Sequence, residues 1–424
     1  MNITYINKNI QDLINSLTNK NFDNAIKKLE IIPEKEIDLN FEILKKQIEI
    51  YESNFQIKIN KFKLFTNIGV ILFKIGKICK SINFFKFSIQ DNPNFSLAYN
   101  NLGISYLEIG MFEKAAENFE IAFKLDKNDF NAQKHLINIL NLIKPKNNNN
   151  ESIINLNYRI NSEIKKLNIK NYFDTTNIRH ILDLSNNLIE NFQNNLIFNE
   201  TQIFRKNSNN LNCLRHFKVF NEFNIIPKYC FSCYKIQINL FTVIDLIKLY
   251  FIFDNTNLTK NNMRKCMVET RNQIKGNYKG YIYCTGIKEA KDVLEVINRE
   301  IKIANLSKCK IIIKHGCSEF YQSYPEYEKI NFNGEQVMKY NEEWSTKEKL
   351  IDERVPKRNN NDKKVWGRYV KGINLSDILI INNWINYADI IGDFSYKQIF
   401  GKKVKSNFLS KVLENQIEFR KINF

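Results

Sequence analysis

Glycine and histidine are scarce in this 424-residue chain, at 13 and 4 residues. No glycine-rich phosphate loop can be found, and Gly276 and Gly280 read as ordinary turn residues. The histidines are scattered, and no H-E-x-x-H helix, G-x-S-x-G elbow or kinase signature set occurs, so the commonest hydrolase and kinase chemistries have no carrier. Long apolar runs are missing too. The longest, "LFTVIDLIKLYFIF" at 240–253, is too short for a membrane span and carries Asp245 and Lys248 at helical spacing, which predicts a buried amphipathic helix and no membrane partner. No N-terminal stretch joins a basic start, an apolar core and a small-residue cleavage site. The expectation is therefore a cytoplasmic protein whose eight cysteines are reduced thiols or metal ligands and not a disulfide framework.

Lysine, asparagine and isoleucine fill the space left by arginine, alanine and glycine. The net charge of +18 owes part of its size to that bias, so its distribution is more telling than its total. Residues 204–315 hold 20 Lys and Arg against 8 Asp and Glu, whereas residues 62–129 hold 8 against 7. The basic character belongs to one region. At 43% hydrophobic, the chain is able to bury two or three cores.

Residues 62–95 and 96–129 superpose at a period of 34. Ile68-Gly69, Leu72, Gly76, Ser81, Phe85 and Ser88 fall at the offsets of Leu102-Gly103, Tyr106, Gly110, Ala115, Phe119 and Ala122. Small residues at 69, 81, 103 and 115 let two helices approach, and the large ones fill the space between hairpins. The pattern resembles the tetratricopeptide repeat family, which implies a stack of antiparallel helix pairs with a concave groove for a peptide or a partner's helix. Residues 19–33 look like the second half of a degenerate repeat, with Ala25 and Leu29 in phase; residues 40–60 and 130–143 are expected to complete or cap the stack. The resemblance places Lys63, Thr66, Val70, Phe73, Leu97, Asn100, Ile104 and Lys134 along the groove. Val70 and Ile104 stand where some members of the family carry the asparagines that clamp a terminal carboxylate.

In the basic region, strands at 234–238, 264–271, 278–286 and 308–316 alternate with helices at 240–253 and 287–304. This β-α-β-β-α-β order is that of the split βαβ, ferredoxin-like sheet. Within it, Lys279-Gly280-Tyr281-x-Tyr283 is similar to the signature of RNA-recognition motifs, although Ile282 and Gly286 depart from it. The resemblance implies RNA or another anionic ligand on the open face, contacted by Lys235, Lys279, Tyr281 and Tyr283. Just before the first strand, Cys213-x2-His216-x13-Cys230-x2-Cys233 has the spacing of a tetrahedral, structural zinc site. His315 and Cys317 form a second grouping with no third orienting residue, so a structural role is expected for them.

Asn-rich tracts at 144–152, 205–212 and 357–364 read as joints. They divide the chain into a solenoid (1–147), a helical connector (148–203), a basic α+β domain (204–317) and an aromatic-rich extension (318–424). That last region carries Trp344, Trp366, Trp384 and a helical stretch at 375–393 whose Asp389 and Asp393 are expected to be solvated. The fold class expected is α+β. The function expected is a scaffold or adaptor that couples a protein partner to the basic domain; an RNA-binding protein and a solenoid-fused transferase without an identifiable active site are the alternatives.

Overall fold

A computed structural model describes residues 8–19, 21–31, 41–147, 152–193, 195–205, 211–271, 274–306, 308–333, 335–355, 357–365, 367–400, 407–414 and 416–421. Trp366 and the cores of two Asn-rich tracts, 148–151 and 206–210, lie outside the described residues. The chain divides into two compact units, residues 1–139 with 356–365, and residues 140–355 with 366–424. The connector, the basic sheet and the C-terminal region, expected as three pieces, share the second unit.

The first unit opens with α1 (Lys8–Thr18), α2 (Phe22–Ile31) and α3 (Phe41–Phe55). Two hairpins follow, α4 (Lys61–Lys74) with α5 (Ile78–Asp91) and α6 (Ser96–Glu108) with α7 (Phe112–Leu125), and then α8 (Phe130–Ile139). Each hairpin turns through a glycine of positive φ, Gly76 (82°) and Gly110 (79°), where a side chain would be strained. Gly69 and Gly103 mark the closest approach within each pair. A Cβ added there would come within 2.6 Å of the Phe85 and Phe119 rings respectively. This is the tetratricopeptide-like packing that the 34-residue period predicts. Ala25 and Leu29 of α2 are buried in one core with Leu44, Tyr51, Phe65 and Leu72, so the degenerate N-terminal helices join the same stack.

The tract at 357–364, expected to be a linker, belongs to this first unit. Asp362, buried in a 3-10 turn (Asn360–Asp362), accepts a hydrogen bond from Cys79 N at 2.6 Å, in the first turn of α5. The N-cap of α5, Lys77, makes no side-chain cap bond, so Asp362 satisfies one of the orphan amides from 283 residues away. Glu108 at the end of α6 pairs with Arg358 at 2.8 Å and Lys364 at 3.1 Å. Val365 lies over Gly110.

The second unit contains α9 (Ile153–Lys166), α10 (Thr175–Glu190), β1 (Gln202–Arg205), α11 (Cys213–Phe223), β2 (Cys233–Leu240), α12 (Val243–Asn255), β3 (Arg264–Val268) and β4 (Tyr278–Thr285). It continues with α13 (Ile287–Ile303), β5 (Cys309–His315), α14 (Trp344–Glu353), α15 (Leu375–Ile391), α16 (Asn407–Leu413) and α17 (Ile417–Lys421). The strand order is β1-β3-β4-β2-β5, every neighbour antiparallel. Four of these strands make the expected split βαβ sheet, and β1 extends it on the β3 edge. Alternation in β2 sends Tyr234, Ile236, Ile238 and Leu240 inward. On β4, a Cβ at Gly280 would strike Leu249 and Phe253 of α12, which fixes the face that the helices cover.

Nearly all of α12 is buried, and so is most of α15, because neighbours cover both on several sides. Their junction is polar. Arg205 of β1, buried, pairs with Asp254 at the end of α12 (2.8 Å) and with Asp377 in the first turn of α15 (2.6 Å), and Tyr250 joins the same network. Trp384 is fully buried and donates its indole N–H to Thr201 O at 2.8 Å. Asp393 is not solvated: it accepts from Val243 N and from the Tyr278 hydroxyl, each at 2.7 Å, while Asp389 takes the Tyr396 hydroxyl. No helix among the described residues is long and apolar enough to cross a membrane.

Candidate functional site

The face of the sheet turned away from α12 and α13 carries the outward residues of each strand in register. One row runs Phe204, Lys265, Tyr281, Gln237 and Ile312 across all five strands. The next sets Tyr283 beside Lys235 and Lys235 beside Lys314. This face is partly covered. Cys213 and Phe217 of α11, together with Cys317, Ser318 and Glu319 after β5, wall a cavity of about 300 Å³ over the two rows. That volume stands at the low end of ligand pockets, roughly 300–1,000 Å³.

Cations and aromatic rings alternate along the cavity floor. The Lys235 ammonium lies 5.4 Å from the Tyr283 ring centroid and donates to Cys317 Sγ at 3.3 Å. Lys265 stands 5.3 Å from the Tyr281 centroid and 5.8 Å from that of Phe204. Among the described residues Lys265 has no ion-pair partner. Burial first, and then the neighbouring Lys235 and Arg271 charges, push its pKa down to about 8. The other cations of the wall are already matched: Arg271 pairs with Glu269 and Glu319, and Lys314 with Glu328. Burial raises the Tyr281 phenol to about 12, so it is neutral and available as a donor.

Of the four residues expected to touch nucleic acid, Lys235, Tyr281 and Tyr283 line this cavity. Lys279 does not. It is fully buried in an ion pair with Glu269 at 3.1 Å. A walled cavity also differs from the uncovered platform on which a single strand of RNA stacks its bases.

A second, smaller space of about 10 Å³ adjoins the first and shares Cys213, Phe217 and Cys317 with it. His216, Cys230 and Cys233 line it as well, so all four residues of the expected zinc site border one space. They do not close around it: among the described residues no three His, Cys, Asp or Glu side chains converge as metal ligands do. Cys230 packs in an apolar cluster with Ile226, Phe320 and Tyr327, and the His216 ring stacks on Tyr229 at 5.2 Å. Burial pushes the Cys230 thiol up and that of Cys233 to about 12, and it lowers His216, so the group is uncharged at neutral pH. His315 is fully buried between the Tyr327 and Phe231 carbonyl oxygens, 2.9 and 3.1 Å from its two ring nitrogens. It is occupied structurally and does not face Cys317 as a base.

Along the solenoid, Lys63, Leu97 and Lys134 are exposed, and Val70, Phe73 and Ile104 are half-buried. Thr66 and Asn100 differ from the expectation. Both are buried, Thr66 bonded to Ser88 at 2.8 Å and Asn100 to His135 at 3.0 Å, so they join helices and are not offered to a ligand.

Sequence reading missed Lys265 and Arg271. The signal was present in "RKCMVETR", where alternation puts Lys265 and Tyr281 on one face once β3 and β4 are paired. The wall formed by α11 carried no such signal.

No protein-family model matches the chain, and no curated protein matches it. Among solved structures it is similar to MamA from AMB-1, at 14% identity over 31% of this chain and 84% of that one, with a TM-score of 0.20. It is similar also to PilF of Pseudomonas aeruginosa, at 15% identity over 43% of this chain and 86% of that one, with a TM-score of 0.21. The repeat packing itself is seen in the close approach of helices at Gly69 and Gly103.

Proposed function

We propose that the chain is a protein-binding adaptor whose solenoid takes up a partner segment and whose α+β unit is the module that the partner is coupled to. The observation that carries this reading is the exposure of Leu97 on α6, one 34-residue repeat after the exposed Lys63 on α4. Leu97 is 46% exposed, Phe73 and Ile104 are half-buried, and Lys63 and Lys134 are exposed. An apolar side chain left in water at a repeat position, in a stack that also exposes lysines, suits a segment that carries its own apolar anchor among acidic residues. Binding is favoured over catalysis by the side chains themselves: the Cys317 and His315 pair is not aligned as nucleophile and base.

The test is affinity capture with the full chain, comparing the unaltered protein with Leu97→Asp and Phe73→Ala. A protein retained by the former and lost from both variants, whose melting temperatures are unchanged, is the expected result. Identical capture by all three would refute the groove reading.

A further inference from the structure

The cavity over the sheet has a charge pattern that asks for a particular ligand. Four cations border it, and two of them, Arg271 and Lys314, already hold carboxylates. Lys235 and Lys265 remain, on neighbouring strand rows, with no carboxylate in ion-pair contact with either among the described residues; Lys235 has the Cys317 sulfur and the Tyr283 ring, and Lys265 the Tyr281 and Phe204 rings. Two half-buried ammonium groups without counter-charge are costly to keep, and a bound anion offsets that cost. A dianion matches them in number, and a phosphate monoester carries about −1.5 to −2 near neutral pH. The remainder of the lining is planar and apolar: Tyr281, Tyr283, Phe204 and Phe217 present ring surface, and Gln237 adds one amide able to donate and accept.

We propose that this cavity binds a small phosphorylated planar compound of the nucleoside monophosphate class, with Lys235 and Lys265 on the phosphate and Tyr281 and Tyr283 against the ring. The volume of about 300 Å³ is of the size that one small phosphorylated ring compound fills. The lowered pKa of Lys265 fits such a site, since a phosphate beside it would restore its charge. The neighbouring thiol-lined space shares Cys213 and Cys317 with the cavity, so a ligand held there would also cover those two cysteines.

This proposal is independent of the solenoid groove, and its test uses the full chain with uridine and adenosine monophosphate as probes in isothermal titration. Uridine, adenosine and inorganic phosphate serve as the partial ligands. The expected result is saturable binding of a monophosphate, at least tenfold weaker binding of each partial ligand, and a loss of tenfold or more in both Lys265→Gln and Lys235→Gln. Lys260→Gln, which lies outside the cavity, should bind as the unaltered protein does. Equal affinity for inorganic phosphate would remove the ring from the proposal and overturn it, as would unchanged binding in both cavity variants. Tighter binding of an oligouridylate than of the monophosphates would make the face an RNA surface and overturn it too.

Discussion

Replacing Gly103 by alanine sets two effects of opposite sign against each other. In the interior of an unpacked helix alanine is favoured over glycine by about 1 kcal/mol, because glycine loses more backbone freedom on folding. At Gly103 the new Cβ would lie 2.6 Å from Phe119 Cε1 and 2.7 Å from Cδ1. The ring has little room to retreat: Phe119 is fully buried and packs on His135 with centroids 5.2 Å apart. Overpacking of a dense core costs about 1–3 kcal/mol. The clash therefore outweighs the propensity gain, and a net loss of up to about 2 kcal/mol is expected. Gly69→Ala should behave alike, since its Cβ would meet Phe85 at 2.6 Å, and Gly103→Leu should be worse. The full chain can be followed by hydrogen exchange of residues 96–125 under mild urea, so that this hairpin reports its own opening. The sign decides the matter. Slower exchange in Gly103→Ala than in the unaltered chain would mean that propensity won, and the close approach of α6 and α7 would be refuted.

Asp362→Ala should weaken α5 by about 1 kcal/mol, the usual cost of a lost N-terminal cap, seen as faster exchange at residues 78–82; unchanged exchange there would count against the long-range cap. Lys279→Met leaves Glu269 buried with only Arg271 beside it, and breaking a buried pair costs up to about 3–5 kcal/mol; a variant as stable as the parent by urea denaturation would show that Lys279 is no structural ion. Stability should rise relative to Lys265→Met as pH goes from about 8 towards 10.5, because the unfolded chain still holds the proton that folded Lys265 has released. Burial, and after it Lys235 and Arg271, drive that release while Glu269 and Glu319 oppose it, and parallel pH profiles for the two proteins would refute the assignment.

What could be read from the sequence was set by periodicity. The strands and helices at 234–316 were legible because alternation in "YKIQI" and the helical spacing in "IKEAKDVLEVINREIKIA" are local patterns that the tertiary structure leaves intact. The inward turn of Tyr234 and the outward turn of Tyr281 and Tyr283 followed from the same rule. β1 was not legible, since four residues are too few to show a period. Exposure was harder than orientation. Lys279 does lie on the same side as the two tyrosines, but it is buried there in an ion pair with Glu269. Asp393 is likewise taken by Val243 and Tyr278, more than 100 residues away. Composition misled at 357–364, where a run of asparagine and lysine reads as a linker although one aspartate in it is a buried cap.

The return of residues 357–365 to the first unit gives the chain a timetable. During synthesis α5 is complete long before Asp362 exists. At roughly 5–20 residues per second, the 283 residues between Cys79 and Asp362 take on the order of 15–60 s to make. Throughout that interval the start of α5 and the Glu108 carboxylate are bare, and a nascent-chain partner is able to compete for them. Excision of residues 1–139 would freeze the protein in that unfinished state, whereas a single nick between residues 140 and 355 would leave the fastening in place. The solenoid is thus closed off by a part of the polypeptide that arrives late and from the far side of the sheet's own sequence.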